Sequence, residues 1–232
     1  MQQKTVAEAI RPYAGEIDAQ TEGAFERYLG FLTESNRAVN LTAITDRDEI
    51  IVKHFADSVA GQSLIPQGAK MLDIGSGAGF PAVPIKLIRE DVDLTMLESI
   101  GKKTSFLQRL GTELGLTYRV VQGRAEDEGH GAMRATFDVV TARAVTALRV
   151  LIEYAVPFLK EGGVLIAYKG SGADDEIKEA AGALRALNAE VEDVRRFTLD
   201  GQYARALIVI RKKGATRAEY PRAGAKIKKK PL

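Results

Sequence analysis

Three glycines at alternate positions, Gly75, Gly77 and Gly79, follow an apolar run that carries one acid, Asp73, in the stretch LDIGSGAGFP (72–81). Glycine permits positive φ and removes side chains that would hold a ligand off the backbone, so this stretch predicts a turn that cups a nucleotide-like molecule. Several unrelated ligands are held in this way, and spacing narrows the choice. A dinucleotide turn runs G-x-G-x-x-G, whereas here the third glycine comes one residue early. A P-loop needs Gly-x4-Gly-Lys-Ser/Thr, which Ile100-Gly101-Lys102-Lys103-Thr104 matches poorly.

A second acid stands 19 residues beyond Gly79: Leu94-Thr95-Met96-Leu97 ends in Glu98. At the tip of a second strand a carboxylate accepts both ribose hydroxyls of a nucleoside. The competing reading is a helix N-terminal acid preceding Lys102 and Lys103. Gly123-Arg124-Ala125-Glu126-Asp127 lies where an adenine edge would sit, with Glu126 or a backbone amide facing the exocyclic amine; a capping loop is the alternative. Arg143, after the fourth apolar run, is placed to steer a phosphate or an acceptor base, or else to form a structural salt bridge. The G-x-G-x-G spacing resembles the turn of class I methyltransferases. Their ligand, S-adenosyl-L-methionine, carries a sulfonium and no phosphate, so Asp73 is electrostatically acceptable beside it.

The residues that are missing constrain the chemistry further. Methylation at C5 of a pyrimidine in RNA needs a cysteine nucleophile, and the chain has none. Exocyclic-amine methylation often uses an Asn/Asp-Pro-Pro-aromatic turn, where this chain reads Thr141-Ala142-Arg143-Ala144. With two histidines, His54 and His130, no histidine-based metal site is expected. Guanine N7 fits what remains. Its lone pair lies in the ring plane, it loses no proton on methylation, and positioning alone serves as catalysis.

Alternating elements must position these groups. The first ~65 residues predict helices: Phe25, Leu29 and Leu32 recur at i, i+4, i+7, and Ile50, Ile51, Phe55 and Val59 form a stripe over 48–60. After Pro66-Gln67-Gly68, short apolar runs at 71–74, 94–97, 118–121, 137–141, 164–168, 191–197 and 206–210 alternate with helical patterns at 82–89, 102–114, 148–159 and 174–187. This predicts an α/β fold with a mostly parallel seven-stranded sheet and helices on both faces. Asp200-Gly201 is a hairpin signal, so the last strand is expected to be antiparallel. The expected organisation is a helical cap (1–65), a Rossmann-like methyltransferase domain (66–212) and a basic tail (213–232).

Apolar residues at 45 % and charged residues at 28 % of 232 place the chain among globular proteins. The absence of cysteine excludes a disulfide scaffold and fits a reducing compartment. No apolar run approaches bilayer length and the N-terminus is too polar for a signal peptide, so a cytoplasmic protein without membrane contact is expected. Net charge is only +2, yet the stretch from Arg211 onward holds nine Lys or Arg against one acid, Glu219. Such a tail either contacts phosphates or is a solvated terminus.

The ordered set Asn40-Leu41-Thr42-Ala43-Ile44, His54-Phe55-Ala56-Asp57-Ser58, the glycine turn with Phe80-Pro81, Glu98-Ser99, Gly123-Arg124-Ala125-Glu126, Ala142-Arg143-Ala144 and Tyr168-Lys169-Gly170 resembles the bacterial small-subunit rRNA methyltransferase G family. The resemblance implies transfer of methyl from S-adenosylmethionine to N7 of a guanine in 16S rRNA near the decoding site, presented on the small ribosomal subunit or an assembly intermediate. It implies cofactor contacts at Gly75, Phe80, Ala125, Glu126 and Arg143, with Glu98 on the ribose and no metal. Asp73, Gly77 and Gly79 complete the turn. Arg124, Lys169, Lys228, Lys229 and Lys230 are the candidate RNA contacts. His54 is expected to pack rather than catalyse, and Asn40 either caps a helix or reaches the site. A small-molecule or protein methyltransferase of the same fold, and a non-catalytic RNA-binding assembly factor, are the competing functions.

Overall fold

The computed structural model describes residues 4–232. Seven strands form one sheet: β1 (Lys70–Ile74), β2 (Asp93–Glu98), β3 (Arg119–Gln122), β4 (Phe137–Arg143), β5 (Leu159–Lys169), β6 (Ala189–Leu199) and β7 (Tyr203–Lys212), in the order β3-β2-β1-β4-β5-β7-β6. β1 pairs in parallel with both β2 and β4. The chain therefore reverses its direction of winding between β1 and β4, and a crevice opens there at the carboxyl rim. The last strand, β7, is antiparallel as expected, and it inserts between β5 and β6. Asp200 (φ 52°) and Gly201 (φ 67°) both take left-handed backbone at the β6–β7 turn, the demand that the Asp-Gly pair signals.

The N-terminal helices are α1 (Val6–Ala14), closed by a Thr5–Glu8 capping box, and α2 (Ala19–Val39), which ends at Asn40 in left-handed conformation. Capping is thus the observed role of Asn40. Next, α3 (Arg47–Ile50) runs into a π-helical stretch, Ile51–Ala56, and then α4 (Asp57–Val59). The stripe Ile50, Ile51, Phe55 and Val59 is buried as the spacing predicts, but the helix is not regular. π-turns concentrate at functional sites, and this one carries Lys53 and His54 up to Asp57.

The remaining helices are α5 (Ala82–Ile88), α6 (Gly101–Leu114), α7 (Ala125–Glu128), α8 (Leu148–Ala155), α9 (Ala173–Glu179), α10 (Ala181–Ala186) and α11 (Gly224–Lys229). The single helix expected over 174–187 is two, broken at Ala180 (ψ −1°) in a run of small residues. Strand alternation splits the core between the two sheet faces. Met71 joins Phe25, Phe55 and Leu107 on one side, while Leu72 and Ile74 join Leu151 and Phe158 on the other. No described helix is long and apolar enough to cross a membrane.

The basic segment after β7 is docked on this second face. Arg134 donates to the carbonyls of Thr216, Arg217 and Tyr220 at 2.7–3.1 Å. Glu153, on α8 and fully buried, accepts from the backbone N–H of Arg222 at 2.9 Å and from its guanidinium at 2.7 and 2.6 Å. Ile227 is also fully buried, while Lys229 and Lys230 stay exposed.

Candidate functional site: two cavities at the carboxyl rim

The glycine turn leaves β1 and is tied to the tip of β2. Gly75 donates to the Leu97 carbonyl at 2.8 Å, and Gly77 donates to Glu98 Oε2 at 2.9 Å. Glu98 Oε1 accepts the N–H of Ile100 at 2.8 Å, so this carboxylate both braces the turn and serves the start of α6. A carboxylate has about four lone-pair sites, which leaves room for hydroxyl donors.

Two glycines have separate reasons to be glycine. Gly77, at φ +55°, faces open space: a Cβ there would meet nothing nearer than the Gly75 carbonyl at 3.8 Å. Gly79, at φ +97°, is required by packing, because a Cβ would stand 2.7 Å from the Tyr28 hydroxyl and 2.9 Å from Val83. Tyr28 in turn donates to the Ala78 carbonyl at 2.5 Å, fixing the turn from beneath.

Asp73 lies under the turn, fully buried. Thr141 donates to its Oδ1 at 2.7 Å, while Oδ2 has no partner among the described residues. Burial pushes this carboxyl up to about 7, against the lowering effect of the Ser76 and Thr141 hydroxyls and the Arg143 guanidinium. An unfolded Asp ionises near 3.9, so the native state holds the extra proton between about pH 4 and 7. Stability from this group is therefore present at low pH and lost as pH rises through 7. Thermal melting of the free protein should show that decline, and Asp73→Asn should flatten it; an unchanged slope would contradict the assignment.

Beside the turn opens a cavity of about 410 Å³, lined by Gly75, Leu97 and Ser99, by Gly123 to Glu126, by Val145 to Ala147, and by α8. Arg124, Ala125 and Glu126 are thus brought to the same wall as the turn. The Glu126 side chain is mostly buried, whereas Arg124 extends outward with Nη1 4.0 Å from Glu126. The Phe80 ring is not in that wall. It stacks on His54 at 4.5 Å and lies under the Arg143 guanidinium at 5.0 Å.

A second cavity, of about 450 Å³, lies across Ala144 and Val145, the residues that follow β4. Ala144 lines it at φ +55°, a strained backbone for a non-glycine residue. Arg143 enters its wall and donates to the Lys53 carbonyl (3.0 Å), Asp57 Oδ2 (2.8 Å) and His54 Nδ1 (3.1 Å). An arginine only donates, so His54 Nδ1 is an acceptor and its proton sits on Nε2, which donates to Thr42 Oγ1 at 2.8 Å. Burial, then Arg143, lowers the His54 pKa to about 3, so it is a packed neutral ring. Asp57, almost fully buried, also accepts from Arg205 Nε at 3.0 Å. Lys169 spans from the Thr146 carbonyl (2.8 Å) to Glu176 (2.7 Å), bracing the loop after β4 rather than pointing free.

Tyr28, Asp57 and Arg205 carry parts of this geometry that sequence reasoning did not assign. Asp57 had a signal, in the fixed piece His-Phe-Ala-Asp-Ser. Tyr28 and Arg205 had none, since a buried tyrosine and a strand arginine are ordinary in isolation.

Known proteins resemble this chain at two levels, sequence and fold. The family model described as rRNA small subunit methyltransferase G matches residues 21–207. A protein named ribosomal RNA small subunit methyltransferase G from Lactobacillus delbrueckii subsp. bulgaricus is 42% identical over 239 residues, covering 100% of both chains. One of the same name from Streptococcus pneumoniae is 44% identical over 221 residues, covering 93% of each. Among solved structures, a SAM dependent methyltransferase from Aquifex aeolicus aligns with TM-score 0.54 at 14% identity, over 74% of this chain and 96% of its own. A precorrin-6y C5,15-methyltransferase from Geobacter metallireducens aligns with TM-score 0.50 at 17% identity, over 69% and 87%. The two structures share the fold alone, while the full-length sequence matches decide the family: the chain belongs to the rRNA small subunit methyltransferase G family.

Proposed function

We propose that the protein transfers a methyl group from S-adenosylmethionine to N7 of a guanine in 16S rRNA, near the decoding site of the small ribosomal subunit in the cytoplasm. The first cavity takes the donor. S-adenosylmethionine, when bound, supplies an electrophilic methyl on a cationic sulfur. Three features next to that cavity, though not in its lining, support this reading: an open cradle over Gly77, the unpartnered and fully buried Asp73 Oδ2 beneath the turn, and the Glu98 carboxylate at the tip of β2. Glu126 and the backbone at Ala125 hold the adenine edge.

The second cavity takes the guanine. The observation that carries this reading is that its acids and its histidine are already committed. Asp57 accepts from Arg143 and Arg205, Glu176 accepts from Lys169 and from the Leu148 N–H at 2.6 Å, and His54 uses both ring nitrogens. A site of this kind suits an acceptor atom that gives up no proton. N7 is such an atom, and catalysis is then positioning. Arg143, fixed between Phe80, His54 and Asp57, orients the base, and Lys169 holds the loop that separates the two cavities. Arg124, Lys229 and Lys230 are exposed and supply phosphate contacts outside the cavities.

Borohydride–aniline cleavage of 16S rRNA reads N7-methylguanine directly. Cells with the protein should show a cleavage site near the decoding region that cells without it lack. The same pattern in both would defeat the assignment.

A further inference from the structure

The C-terminal segment does more than present charge. Two of its residues, Lys228 and Pro231, line the 410 Å³ cavity beside the glycine turn. They are held there from both ends. Upstream, the bidentate Arg222–Glu153 pair fixes the chain against α8, and Ile227 inserts fully into the core below. Downstream, Leu232 packs on the same core, and its backbone lies so close to α10 that a Cβ on Gly182 would stand 3.0 Å from it. The helix between these anchors, α11, contributes Lys228 to the cavity lining, and Pro231 follows it there.

The wall it faces comes from Val150 and Tyr154 of α8, one aliphatic and one aromatic side chain, which suits a flat heteroaromatic ring. Glu126, on the same wall, is an acceptor for an exocyclic amine. That wall already offers two donors for the ring nitrogens, the Tyr154 hydroxyl and Arg149 Nε, the latter without a partner among the described residues. Lys228 adds three N–H donors at this place and makes no ion pair or hydrogen bond among the described residues, whereas Arg149 has its Nη1 taken by Glu179 at 3.3 Å.

We propose that α11 is a structural wall of the methyl-donor site and that Lys228 is a donor-binding residue, hydrogen-bonding the purine ring of S-adenosylmethionine. This rests on the reading that the first cavity holds that donor. All three lysines are exposed, and the basic segment is thereby divided by position: Lys228 borders the donor cavity, while Lys229 and Lys230 lie outside it.

Calorimetric titration of the full chain with S-adenosylmethionine, with RNA left out, tests it. The unaltered protein should bind saturably. Lys228→Ala should weaken the dissociation constant about tenfold, the scale of a lost hydrogen bond from a charged group. Ile227→Asp, which undocks α11, should weaken it at least as much, and its retained circular dichroism would confirm a folded sheet. Lys226→Ala, exposed on the same helix but outside the cavity, should leave affinity unchanged. An unchanged constant in Lys228→Ala overturns the proposal, as does an equal loss in Lys226→Ala, which would reduce the effect to net charge. Failure of the unaltered protein to bind at all would instead bring down the donor assignment itself.

Discussion

Gly77→Val is expected to weaken S-adenosylmethionine binding about a hundredfold while the domain stays folded. Left-handed backbone costs an L-residue about 1–2 kcal/mol, and more for a β-branched one, so melting should fall by only a few degrees. The larger effect is on the ligand. Gly77 has φ +55° and faces open space, so the valine methyl groups would project into the cradle rather than into protein. Its N–H also holds Glu98, and a turn displaced by strain would loosen the carboxylate meant for the ribose. Together these should cost about a hundredfold in affinity, or roughly 2.8 kcal/mol. Calorimetry and a melting curve on the same sample read both quantities; an unchanged dissociation constant would show that the turn does not face the donor. Gly79→Val should behave oppositely, unfolding the protein first, because its Cβ meets Tyr28 and Val83.

Asp57→Ala is expected to have the largest effect on stability in the acceptor cavity. Its carboxylate is almost fully buried and holds two arginines, Arg143 at 2.8 Å and Arg205 at 3.0 Å. Removing one partner of a buried pair costs about 3–5 kcal/mol, because a buried charge is left uncompensated. Arg205 reaches solvent in part, so a discounted cost of about 2–3 kcal/mol is appropriate, or a fall in Tm of roughly 5–10 °C for a chain of this length. Arg143→Ala should cost less stability, since Asp57 keeps Arg205. Its turnover should nonetheless fall about a hundredfold, the penalty of a misplaced reacting atom. The two variants thus separate the roles: Asp57 maintains the cluster and Arg143 addresses the substrate. Equal melting losses with unimpaired turnover in Arg143→Ala would leave only the structural salt bridge.

Much of this was legible in the sequence because it lay in local pattern. The apolar runs and their alternation predicted the sheet, and the Asp-Gly pair predicted the antiparallel β7. The glycine spacing also pointed to the turn at the switch point between β1 and β4. What was not legible depended on long-range packing. Periodicity predicted the buried stripe over 48–60, but a π-turn keeps the same apolar residues and changes only their hydrogen bonding. The tail read as either solvated or RNA-binding, because Ile227 is one apolar residue among lysines; its anchor, Glu153, lies 69 positions before Arg222. Arg143 carried both a functional and a salt-bridge reading from the start. The structure shows the salt bridge, an ion pair with Asp57 that fixes the guanidinium at the cavity wall, and turnover in Arg143→Ala is the test of the functional reading.

A crystal structure with S-adenosylmethionine bound is the most direct measurement. The donor should lie along the carboxyl rim in the first cavity, its amino-acid end over Gly77, its ribose at Glu98, and its methyl directed past Ala144 toward the Arg143 cavity. Donor density lodged elsewhere, or a methyl directed away from Arg143, would contradict the account.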